Sequence, residues 1–131
     1  MARALTVAGI LLLVLATPAP AQPLDGSAPM LCATQIIVEC APSGACQRLT
    51  PEEADLPPFV TIDVTRRLVE DPVNGRRAEI RDASRVDDRL VLQGADGGRG
   101  WSMIVEPSGV LSVAVVDEHV AFNVFGRCIA R

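Results

Sequence analysis

The chain has 131 residues, 12 cationic against 16 acidic, and a formal net charge of −4 at pH 7. Every cationic residue is an arginine, so lysine Schiff-base chemistry and a Walker-type phosphate loop are excluded, and the acidic balance lacks the basic footprint of a nucleic-acid binder. Tyrosine is absent and there is one tryptophan, which leaves little for stacking bases or sugars.

The chain opens with Arg3, an apolar run from Ala4 to Ala16, and Ala19-Pro20-Ala21. A positive start, an apolar stretch too short to span a bilayer and small residues at a cleavage site are the parts of a secretory signal, predicted over residues 1–21 with cleavage after Ala21. Residues 22–30 contain Pro, Gly and Ser without periodicity and read as a flexible mature N-terminus. Residues 31–131 then make one domain with no transmembrane segment.

Four cysteines, Cys32, Cys40, Cys46 and Cys128, fall in the exported part, and an even number there predicts two disulfides. No Cys-x-x-Cys spacing occurs and the one histidine, His119, is remote in sequence, so no metal site is expected.

Structure is expected from Leu31. Ala33 to Glu39 is β-prone, and Ala41-Pro42-Ser43-Gly44-Ala45 turns the chain between Cys40 and Cys46. Thr50-Pro51-Glu52-Glu53 has the form of a capping box, which predicts one short helical turn near 51–55, stopped by Pro57-Pro58. From Phe59 the apolar period is two, with a strand that continues through Leu68 and Val69 until Asn74-Gly75 reverses the chain. Residues 76–88 fit either a helix or a strand, and the preceding turn favours a strand that bends near Ala83-Ser84. Arg89 to Gln93, Trp101 to Glu106, Val110 to Val116 and Val120 to Phe125 complete the set, with Gly94 to Gly100 as one connecting loop.

The predicted fold is all-β: an antiparallel meander of about eight strands in a closed or partly closed barrel. With an even count, the start of the first strand meets the end of the last, which selects Cys32 with Cys128 and Cys40 with Cys46 from three pairings.

The chemistry-bearing candidates are few. His119 beside Asp117 and Glu118 reads as a polar turn, because general acid–base work needs an imidazole positioned in a cleft. The Gly94 to Gly100 segment precedes a strand rather than the helix a phosphate-cradling loop requires. Arg66, Arg77, Arg81, Arg85 and Arg89 gather on adjacent strands and form a possible surface for an anionic partner, set against the acidic residues among them. Trp101, Phe122 and Phe125 either fill the core or line a cavity; Trp101, Met103 and Val105 alternate inward, as do Val120, Phe122, Val124 and Gly126.

At Leu92-Gln93-Gly94, Gly98-Arg99-Gly100-Trp101-Ser102 and Val124-Phe125-Gly126-Arg127-Cys128, together with the Cys-bearing N-terminal hairpin and Leu56-Pro57-Pro58-Phe59, the chain resembles a group of small exported proteobacterial β-rich proteins. That resemblance covers most of the mature chain and implies an exported domain with no particular activity. In size, compartment and terminal cysteines it is also similar to the periplasmic lysozyme-inhibitor barrels. Their Ser-Gly-x-x-Tyr loop would fall at Ser108-Gly109-Val110-Leu111, where no tyrosine stands.

The expectation is thus a periplasmic or secreted, non-enzymatic module, without catalytic, cofactor or metal residues, that binds a partner protein, an envelope component or a small ligand. The alternatives are an inhibitor of the lysozyme-inhibitor type and a small enzyme using His119.

Overall fold

The computed structural model describes residues 19–131, and the signal sequence expected over residues 1–21 therefore lies largely outside the described residues. Nine strands follow one another: β1 (Met30–Cys40), β2 (Cys46–Leu49), β3 (Phe59–Asp63), β4 (Leu68–Glu70), β5 (Arg77–Val86), β6 (Arg89–Asp96), β7 (Arg99–Val105), β8 (Val110–Val116) and β9 (Ala121–Ala130). Each strand from β3 to β9 pairs antiparallel with the next, β1 pairs with β3, and β9 returns to β1, which closes an eight-stranded barrel with β2 outside it. The long strand β1 makes this possible. Its first half pairs with β3 and its second half with β2 on one edge, while β9 runs along the whole of the other.

Closure sets Cys32 directly opposite Cys128, and the pair is a disulfide buried in the core. Cys40 and Cys46 face each other across the β1–β2 hairpin and form the second disulfide, with Cys46 at the surface. Two such bridges belong to a chain that folds in a non-reducing compartment.

Four elements differ from expectation. The run from Phe59 to Val69 is two strands, because Asp63 Oδ1 accepts the Arg66 N–H (2.9 Å) and Arg67 takes a positive φ of 54°, which turns the chain at 64–67. Among the described residues there is no helix. At 51–55 the capping box does form: Thr50 N–H donates to Glu53 Oε2 (2.8 Å) and Glu53 N–H to Thr50 Oγ1 (3.3 Å). Asp55 then enters the left-handed region (φ 50°) and Pro57 and Pro58 offer no N–H, so a single turn results. Third, residues 77–86 are a strand whose irregularity falls at Arg81, in a bulge opposite β6, rather than at Ala83-Ser84. Last, the loop expected over 94–100 shrinks to Gly97-Gly98. Gly94 lies within β6, where a Cβ would overlap the Trp101 ring and the Glu79 carbonyl.

Alternation places one residue in two inside the barrel. One end is solidly packed: Met30, Cys32, Ile62, Ile80, Leu92 and Val105 are fully buried, with Leu111, Leu90 and Cys128 beside them. Leu24, within the 22–30 segment, packs on this end, and Asp25 pairs with Arg85 at 3.4 Å. A second cluster sits at the other end, where Ala54 of the segment that joins β2 to β3 packs with Ile37, Val115, Phe122 and Val124. Trp101 and Val113 touch both clusters. No helix among the described residues is long and apolar enough to cross a membrane.

Candidate functional site

The end of the barrel beneath the β2–β3 segment is not filled. Val60 from β3, Val69 from β4, Ala78 from β5, Trp101 and Met103 from β7, and Val113 and Val115 from β8 surround an open-mouthed cavity of about 160 Å³, roofed by Leu56 and Pro57. A smaller cavity of about 80 Å³ shares that roof with Val60, Met103, Val113 and Val115, and reaches Thr34, Leu111 and Val124. The cause lies in the strands themselves. Valine and alanine hold most of the inward positions here, beside Trp101 and Met103, whereas isoleucine and leucine dominate the opposite end, and the shorter side chains leave space between them.

The roof is held by specific bonds. Arg76, just before β5, donates from Nη1 to Asp55 Oδ1 (3.0 Å) and from Nη2 to the Asp55 carbonyl (2.9 Å), which ties the β2–β3 segment to the β4–β5 turn. Asp71 is buried within that turn, and its Oδ1 accepts the Val73 N–H (2.8 Å) while Oδ2 accepts Asn74 Nδ2 (3.0 Å). The Val73 N–H bond, aided by those from Asn74, holds the Asp71 carboxyl below the usual carboxylate range.

Two more of the charges around the mouth are paired, whereas Asp96, also in the lining, is exposed and has no ion-pair partner among the described residues. Arg77 meets Glu70, directly across the β4–β5 ladder, at 2.9 Å. Arg99 Nε donates to Asp117 Oδ2 at 2.7 Å, and its guanidinium lies 5.9 Å from the centre of the Phe122 ring. The Arg99 bond is the main reason the Asp117 carboxyl titrates below its ordinary value. One polar atom is left over. The indole Nε1–H of Trp101 is buried and has no acceptor among the described residues.

The arginines singled out in the sequence do not form one surface. Arg77 points outward beside Glu70, but the bulge at Arg81 shifts the register, so Arg85 falls in the same row as the buried Leu90 and reaches Asp25. Arg66 is at the β3–β4 turn and Arg89 at the start of β6, both exposed. His119 is 82% exposed on the β8–β9 connection, with Glu118 at 3.8 Å as its carboxylate neighbour. Of the aromatic candidates, Trp101 lines the cavity and Phe122 is buried in the second cluster, whereas Phe125 is 44% exposed on the outer wall next to Ile36. The roof residues Leu56 and Pro57 and the paired Arg76 and Arg99 were not legible as site residues. Only the inward alternation read for β7 and β9 pointed to this interior.

Comparison with family models, with curated proteins and with solved structures finds no match for the chain.

Proposed function

We propose that this chain is an exported, non-enzymatic binding module, periplasmic or secreted after cleavage near Ala21, and that the open end of its barrel holds a small, largely apolar ligand. The observation that carries this reading is the cavity of about 160 Å³ walled by Val, Met, Ala and Trp side chains from five strands and a tethered roof. Its size is close to that of an engineered protein cavity of about 150 Å³ that takes up benzene. The non-enzymatic reading draws on His119, which is 82% exposed on the β8–β9 connection.

A second reading, docking of a partner protein, draws on the outer wall. Ile36, Phe125 and Ile104 lie in one row across β1, β9, β8 and β7, linked through Ser112, and all three are exposed. The test separates the two. Trp101 is the chain's one tryptophan, so its fluorescence reports the mouth alone. Titration with benzene-sized compounds should shift that emission saturably in the native chain and leave it unchanged in Ala78→Phe, which fills the cavity. An unresponsive native protein would remove the ligand reading.

A further inference from the structure

We infer that the Cys40–Cys46 bridge is a thiol-exchange site: a small thiol or dithiol opens it in the folded protein, Cys32–Cys128 stays closed, and β2 is released from the barrel wall. This holds whatever the mouth binds.

The two bridges differ first in access. Exchange begins when a thiolate attacks a disulfide sulfur, so its rate depends on whether that sulfur can be reached. Cys32 and Cys128 are 0% and 4% exposed inside the packed end. A thiolate meets them when that end opens, and the unfolded fraction of a stable domain is on the order of 10⁻³ to 10⁻⁶. Cys46 lies at the surface, and an open cleft of about 280 Å³ borders Cys40 between the Ala41-Pro42 turn and the β8–β9 connection. The incoming thiolate bonds to Cys46 Sγ, the Sγ–Sγ bond breaks, and Cys40 leaves as a thiolate that takes a proton from solvent. A second thiol, or the other end of a dithiol, then displaces Cys46 in the same way. Two protein sulfurs are reduced and two reductant sulfurs become a disulfide.

Topology keeps the opening local. β2 stands outside the closed barrel and pairs with β1 alone, over four residue pairs from Ile37–Leu49 to Cys40–Cys46. Three of its residues are exposed, and Leu49 alone packs on the second cluster. A two-stranded hairpin is marginal by itself, and on the chain-entropy model a bridge over so short a loop shifts it toward the paired state by about thirtyfold. Beyond β2 the release stops where Arg76 holds Asp55 and where Thr34 donates to the Pro57 and Pro58 carbonyls. Residues 41–53 are thus freed, and β1 loses its partner strand along one edge from Ile37 to Cys40.

The test treats the native chain with dithiothreitol, quenches samples with iodoacetamide and maps the labelled cysteines by mass spectrometry. Cys40 and Cys46 should be labelled at least about a hundredfold faster than Cys32 and Cys128. Arg48, followed by Leu49, is a trypsin site within β2. Trypsin should cut the reduced chain there about thirtyfold faster than the oxidised one, giving two pieces still joined through Cys32–Cys128. The double variant Cys40→Ser, Cys46→Ser should fold and be cut at the same raised rate without reductant. Labelling of all four cysteines together, or of Cys32 and Cys128 first, would overturn the exchange site. An unchanged rate at Arg48 in the reduced chain or in the variant, or a variant that does not fold, would overturn the local release of β2.

Discussion

The two ends of the barrel are built from the same strands and differ in what fills them. At the end where β1 begins and β9 finishes, long side chains interdigitate around the Cys32–Cys128 bridge and leave Ile62, Ile80 and Leu92 with no exposure. At the other end, valines and an alanine face a cavity under a roof held by Arg76 and Asp55. One end secures the fold and the other holds open space, which is how a small closed barrel combines stability with a pocket.

The largest expected effect separates the two disulfides. Replacing Cys32 and Cys128 by serine should remove about 4 to 5 kcal/mol, because that bridge closes nearly the whole domain, whereas the same change at Cys40 and Cys46 should remove about 2 kcal/mol. The first loss rivals the entire net stability of a small domain, about 5 to 15 kcal/mol, so urea unfolding should separate the two variants clearly. Equal losses would mean that the packed end is not what secures the barrel.

Side-chain truncation gives a smaller contrast. Ile80→Ala at the packed end should cost about 2 to 5 kcal/mol, since neighbours packed this tightly collapse poorly into the space left. Val113→Ala at the mouth should cost only about 1 kcal/mol, because that side chain already borders a cavity. Comparable unfolding midpoints for the two would show that the mouth is as well packed as the base.

Acid produces the smallest effect. Asp71 and Asp117 at the mouth and Asp25 at the packed end all hold their carboxyls below the ordinary value, through the Val73 N–H, the Arg99 side chain and the Ser27 hydroxyl respectively. A folded-state pKa below the unfolded one means that the unfolded chain takes up protons first as pH falls. The stabilisation from these groups is therefore complete above about pH 4 and is lost as pH drops through their lowered values. Asp71→Asn should flatten that acid limb. An unaltered limb would show that the turn bonds contribute nothing to stability.

Much of this arrangement was legible in the sequence because strand alternation and cysteine placement are local or arithmetic. The all-β class, the barrel and both disulfide pairings follow from period-two runs and an even strand count. The parity held for a reason the sequence does not display. β2 stands outside the barrel, while the run from Phe59 to Val69 contributes two strands, and the two differences cancel. The bulges at Gln35 and Arg81 were not legible, since a bulge depends on the partner strand's register. The second of them is why the four-residue spacing of Arg77, Arg81 and Arg85 does not yield one basic face. The cavity was equally hidden: whether valines meet across a barrel depends on where the roof segment crosses, and its tether through Arg76 and Asp55 spans 21 residues.

The most direct test is an intermolecular nuclear Overhauser experiment on the native chain with benzene bound. Cross-peaks from the ligand ring to the methyls of Met103, Val113 and Val115 and to the Trp101 indole are the predicted result. Cross-peaks to Ile36, Phe125 or Ile129 on the outer wall would contradict it.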